Sequence, residues 1–156
     1  MTPRLNPYSA AHDSIEATLT FSKTIGAAGL EPSLAHLVKL RASQINGCAY
    51  CIHMHAAEAR ADDETEERLY LLSAWEESPL YSERERAALA WTEALTLVSE
   101  THAPDDAYER LAAQFNEEER VNLTLMIGVI NVWNRIAIGF RSIHPLPKPS
   151  PAVVNG

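Results

Sequence analysis

The sequence predicts an all-α protein, a single bundle of about six to seven helices with no significant sheet. Three observations predict it. Apolar residues recur at helical spacing through most of the chain. Proline, glycine and a capping box fall at the ends of those periodic stretches. No alternating apolar–polar run of useful length and no β-hairpin signal appears.

Taken in order, Glu31-Pro32 places proline at a helix start, and Leu34, Leu37, Val38, Leu40 and Ile45 continue at helical spacing until Asn46-Gly47 interrupts them. A second helix begins near Cys48 and carries Cys51, Met54, His55, Glu58 and Ala59. A third runs from about Glu64 to Trp75 and ends before Ser78-Pro79. Ser82 followed by Glu85 fits a capping box, opening a long helix to about Glu100 whose buried stripe is Ala88, Leu89, Trp91, Leu95 and Val98. Thr101-His102-Ala103-Pro104 breaks it, and a short helix covers Asp105 to Phe115. The last helix, about Glu117 to Phe140, is apolar around most of its circumference, which predicts burial nearly all round, in the core or at a subunit contact. An internal echo lays His36–Gln44 over Glu85–Glu93, a weak match of the kind amphipathic helices produce by chance.

The 156 residues, 46% of them apolar, suffice for one domain with a sizeable core, expected over residues 1–143. Residues 144–156 are too proline-dense for a helix and read as an extended tail. A formal net charge of −8 with no basic run argues against nucleic acid. No uninterrupted apolar run approaches the roughly 18 to 20 residues of a membrane span, and Met1 to Asn6 lacks an apolar leader segment. A cytoplasmic protein with no membrane partner is therefore expected. In that reducing compartment a lone Cys-x-x-Cys pair is redox-active or metal-binding rather than a structural staple.

Cys48 and Cys51 are the only cysteines, and His55 stands four residues past the second. On a helix opened at Cys48, positions 48, 51 and 55 share one face. A thiol reacts as its thiolate, and its ordinary pKa of about 8.5 falls at a helix N-terminus or beside an imidazolium. Free N–H groups after Gly47 favour charge on Cys48, and His55 is placed to take a proton from Cys51. A second thiol three residues away can close a disulfide once the first is oxidised to a sulfenic acid. These residues describe a two-cysteine peroxidase or a thiol–disulfide oxidoreductase.

Other readings use the same residues. Structural zinc needs four ligands, for which Cys48, Cys51, His53, His55 and His36 are the candidates, without a second Cys-x-x-Cys. A thioredoxin-type motif wants a βαβ context, and covalent haem attachment wants His where Ile52 stands. The plainest alternative is two buried, inert cysteines beside a core histidine.

The stretch Leu37-Val38-Lys39-Leu40-Arg41-Ala42-Ser43-Gln44-Ile45-Asn46-Gly47-Cys48-Ala49-Tyr50-Cys51, with His55 and Ala59-Arg60 after it, resembles the core motif of the AhpD-like alkylhydroperoxidases of the carboxymuconolactone decarboxylase superfamily. Ser82–Thr96 and Ile130–Ile138 resemble further blocks of that group, so the likeness covers roughly residues 10 to 141. It implies an AhpD-like all-helical fold, trimers or hexamers, and reduction of hydroperoxides by the cysteine pair. By the same resemblance Cys51 attacks peroxide, Cys48 resolves the product as a disulfide and His55 serves as base. The helix-dipole reading alone favours Cys48 as the more acidic thiol.

The sequence departs from the AhpD pattern at two positions. His36 stands where the proton relay has a glutamate, and Tyr50 replaces a histidine before the second cysteine. Two carboxylates are candidate substitutes: Glu85, which lies over His36 in the internal echo and also fits as a cap for Ser82, and Glu93, a carboxylate in an otherwise apolar stripe. Trp91 and Trp133 read as core packing, and His53 as an exposed residue on another face from His55. The expectation is thus a thiol-dependent peroxidase requiring no haem, flavin or metal. Its partners would be a small hydroperoxide, an unidentified thiol or disulfide reductant, and further copies of itself. The alternatives are a carboxymuconolactone decarboxylase-type enzyme and a non-enzymatic metal-binding or redox-sensing helical oligomer.

Overall fold

A computed structural model of the chain describes residues 2–146. The described residues form nine α-helices and one 3₁₀ turn joined by loops, with no strand among them. Two of the helices precede the first element expected from sequence: α1 (Pro7–Ala10) and α2 (His12–Gly26). With the one-turn α7 (Val98–Thr101), they account for the excess over six to seven. Most of the expected proline-rich tail lies outside the described residues, and 144–146 have no regular structure.

α3 (Pro32–Ile45) is the central element, packed against α4 (Ala49–Ala61), α6 (Glu83–Thr96) and α9 (Glu117–Phe140). Leu34, Leu37, Val38, Leu40, Ala42 and Ser43 are all buried on it, so it is covered on most sides. Val38 joins a core with Ala88 and Trp91 of α6, Leu111 of α8 (Asp105–Gln114), and Leu123 and Ile127 of α9. Leu37 and Leu40 face a second core built on Leu72, Trp75 and Leu89.

The turn between α3 and α4 places the cysteines. Gly47 has φ +68°, which an L side chain adopts only with strain. Its N–H donates to the Gln44 carbonyl at 3.1 Å and the Cys48 N–H to the Ser43 carbonyl at 3.0 Å, the double closure of a Schellman motif. The next residue, Cys48, is then the N-cap of α4. Asn46 locks the turn to α9: its Nδ2 donates to Asn134 Oδ1 at 2.8 Å and to Asn131 Oδ1 at 3.0 Å, while Asn134 Nδ2 donates to Ser43 Oγ at 3.0 Å. Asn134 is completely buried, so its amide is satisfied inside the fold.

Three expectations change. The helix expected from Glu64 to Trp75 is α5 (Glu66–Leu71) followed by a 3₁₀ turn (Leu72–Ala74). That tighter winding eclipses i and i+3, and both Leu72 and Trp75 go into the core. The helix from Ser82 stops at Thr96; the Thr101 hydroxyl donates to the Ala94 carbonyl, and His102 and Ala103 adopt positive φ before Pro104. Finally, α9 is buried along one face while Val121, Leu125, Val132 and Ile138 are exposed on others. Contrary to expectation, this 24-residue helix is also long and apolar enough, with a mean hydropathy of 1.5 over 18 residues, to cross a membrane by length and composition alone. Interspersed Gly, Asn and Thr kept it from reading as one uninterrupted apolar run. Here it forms a wall of the core.

Candidate active site

Cys48 and Cys51 form a disulfide, with Cα atoms 5.4 Å apart, and the two residues are 1% and 2% exposed. Both belong to a small buried cluster with Ala137 of α9, and Cys48 Sγ accepts the Cys51 N–H at the start of α4. Their environments differ. Cys51 lines a cavity of about 810 Å³; Cys48 does not. Most of the cavity wall is apolar, including Leu19, Met54, Met126, Ile130 and Trp133. Trp133 is therefore a cavity wall as well as packing, with its Nε1 donating to Ser22 Oγ at 2.8 Å.

The polar side of the cavity is a seam between α3 and α4. His55, 5% exposed, has Nδ1 2.7 Å from Glu58 Oε2. That hydrogen bond, with the Lys39 ammonium nearby, holds the Glu58 carboxyl below its ordinary range in spite of partial burial. Glu58 is thus a carboxylate acceptor, so His55 Nδ1 carries the proton, and in the neutral ring Nε2 keeps the lone pair. Nε2 is buried and has no hydrogen-bond partner in the protein. Lys39 Nζ stands 3.9 Å from the same Glu58 oxygen. One turn further along, His36 Nε2 lies 2.7 Å from Asp62 Oδ2. A lone-pair-bearing imidazole one helical turn from a cavity-facing cysteine is equipped to remove the thiol proton.

The two carboxylates expected to complete the relay are elsewhere. Glu85 is the second half of the Ser82 capping box and pairs with Arg68. Glu93 Oε1 accepts from Arg41 Nε and from Trp75 Nε1, each at 2.7 Å. Neither lines the cavity. The physical reason is the same for both: each has found cationic donors on a neighbouring element, which satisfies a half-buried carboxylate without recourse to the cysteines. The residue that does meet His55 is Glu58, legible in sequence as an i+3 neighbour on the same face. The zinc candidates are not brought together, since His53 leaves this face and stacks on His144 with ring centroids 4.8 Å apart. Among the described residues no cluster of three or more His, Cys, Asp or Glu is arranged to hold a metal ion.

Lowering the pH tests the Glu58 contact. Its folded-state pKa is depressed, so the stability it contributes is present above the unfolded carboxylate pKa of about 4.3 and lost as pH falls through the folded value. Urea melts of wild type and Glu58→Gln should differ at pH 7 and converge below the ordinary carboxylate range.

The chain matches the carboxymuconolactone decarboxylase family over residues 13–94, which include both cysteines and His55. It is 40% identical over 138 residues to the uncharacterized protein YdfG of Bacillus subtilis, covering 88% of this chain and 94% of that one. It is 33% identical over 119 residues to the uncharacterized protein YnjA of Escherichia coli, covering 76% of this chain and 62% of YnjA. The structure of ATU0492, a protein of unknown function from Agrobacterium tumefaciens, superposes with a TM-score of 0.91 at 49% identity, covering 94% of this chain and all of that one. A family match over more than half of the sequence, on an all-helical fold with a Cys-x-x-Cys pair at its centre, makes the chain a member of the carboxymuconolactone decarboxylase family, of the AhpD-like kind.

Proposed function

We propose that the protein is a thiol-dependent peroxidase that reduces hydroperoxides through Cys51 and Cys48. One observation carries the reading: Cys51 faces the cavity beside His55, while Cys48 lies behind it within disulfide reach. The structure of ATU0492 is described with an AhpD antioxidant-defence assignment, which agrees with this chemistry.

The reaction divides between the residues. His55 Nε2 takes the Cys51 proton, and the thiolate attacks the distal peroxide oxygen. An S–O bond forms, the O–O bond breaks, and the departing alkoxide recovers a proton from the His55 imidazolium. Cys48 then attacks the Cys51 sulfenic sulfur, closing the disulfide and releasing water. The α4 N–H that points at Cys48 Sγ favours its thiolate in this second step. An external thiol donor returns both cysteines to the reduced state. The exposed apolar residues Val121, Leu125, Val132 and Ile138 of α9 support a homo-oligomer that covers that helix.

Single-turnover oxidation of the reduced protein tests the roles. Wild type should close the disulfide, Cys48→Ser should stop at a trappable sulfenic acid on Cys51, and Cys51→Ser should not consume peroxide. Loss of reaction in Cys48→Ser but not in Cys51→Ser reverses the two roles. Free, unreactive thiols in wild type under excess hydroperoxide end the peroxidase reading.

A further inference from the structure

The first residues of the chain form part of the wall of the cavity. Pro3, Leu5, Asn6, Pro7 and Tyr8 all line it, on a segment that is largely exposed on its outer side, with Leu5 45% and Tyr8 49% accessible. The hydrogen bonds that tie this strap to the rest of the fold come from one residue. The Arg4 N–H donates to the Phe140 carbonyl at 3.0 Å, and Arg4 Nη1 donates to the Gly139 carbonyl at 2.9 Å. Among the described residues, every other hydrogen bond made by residues 2–8 stays within residues 2–11. Arg4 thus serves the last carbonyls of α9, the negative end of the helix, from the opposite end of the chain. The same cavity is lined by Cys51, whose disulfide with Cys48 has almost no exposed surface.

We infer that the strap Pro3–Tyr8 is a gate latched by Arg4, and that reactants too large for the mouth of the cavity as it stands reach Cys51 only when the strap lifts. The inference rests on Cys51 being the thiol that faces the cavity. A short segment with two hydrogen bonds to the remaining fold and exposed apolar side chains belongs to the low-stability end of a structure, where opening is inexpensive. A reductant meets the gate in particular. Its thiolate must attack Cys51 Sγ from the cavity, breaking the S–S bond and releasing the Cys48 thiolate. A second thiol then displaces the mixed disulfide. Small peroxides and small thiols pass without opening it, whereas bulky ones wait for it.

The test uses the oxidised full-length protein and two thiols of different size, 2-mercaptoethanol and glutathione, with disulfide opening read by quenching and mass spectrometry. Arg4→Ala removes the side-chain bond; Arg4→Pro removes the main-chain donor as well. Each bond lost should raise the glutathione rate by about three- to tenfold, the equilibrium worth of one hydrogen bond, and leave the 2-mercaptoethanol rate unchanged. Hydrogen exchange at the Arg4 amide, the strap's main-chain bond to α9, should accelerate in Arg4→Ala. Thermal melts establish that both variants remain folded. The gate is overturned if exchange accelerates while the ratio of the two thiol rates stays constant, or if wild type already shows no size dependence. Arg4 is overturned as the latch if Arg4→Ala leaves exchange of the residue-4 amide as slow as in wild type and Arg4→Pro leaves the glutathione rate unchanged. None of these readouts uses peroxide, so failure of the gate and failure of the peroxidase reading are separate outcomes.

Discussion

His55→Ala should slow oxidation of Cys51 by hydroperoxide by about 10²- to 10³-fold near neutral pH, the usual contribution of a positioned general base. The loss should shrink as pH rises. Without the imidazole, the Cys51 proton leaves only to solvent, and a thiol of ordinary acidity becomes thiolate above a pH of about 8.5. A stopped-flow pH series should therefore show wild type and variant converging in alkali. A deficit of constant size across the series would mean that the ring acts only by packing. Glu58→Gln should give a smaller defect of about tenfold, because the amide can still accept from Nδ1 but no longer balances the imidazolium formed on proton transfer. Lys39, 3.9 Å from Glu58, does not replace that function, since its ammonium opposes a charge on His55.

The elements nearest the cysteines were legible because their signals are local. Asn46-Gly47 announces a helix end, Ser82 and Glu85 announce a helix start, and both are realised within a few residues of chain. The same locality puts Cys48, Cys51 and His55 on one face. What was not legible depends on partners far away in sequence. His36 meets Asp62 across 26 residues, and Asn46 meets Asn134 across 88. The first eight residues show no strong periodicity, and only the fold reveals that they line the cavity. Glu58 is the instructive miss: it lies three residues beyond His55 on the same helix, whereas Glu85 and Glu93, the carboxylates expected to complete the relay, stand on another helix and are satisfied there. Glu93 is the converse. Its position in an apolar stripe correctly marked it as a carboxylate that needs a partner, but a helix pattern cannot say which neighbouring element provides it.

Glu93→Ala is the variant with the largest expected effect on stability. Glu93 Oε1 is the acceptor for both Arg41 Nε and Trp75 Nε1, and Trp75 is 1% exposed. Truncation leaves an indole N–H without an acceptor in the core and a mostly buried guanidinium with only Gln44 Oε1 at 3.3 Å. An orphaned buried donor costs about 1–3 kcal/mol, and breaking a buried pair by removing one partner about 3–5 kcal/mol. Because Glu93 retains some solvent contact, a total of about 3 kcal/mol is expected, read as a lower urea midpoint with little change in slope. Glu93→Gln should lose less, because its amide oxygen can keep one of the two donors. The kinetics separate this account from a proton relay. In protein that remains folded, neither substitution should alter single-turnover oxidation of Cys51 by more than about twofold, since small effects follow when a residue touches neither the reacting atoms nor the groups that hold them. A rate loss above tenfold in Glu93→Gln, with stability nearly intact, would instead put this carboxylate in the proton path, and the Arg41 and Trp75 contacts would then describe only its resting position.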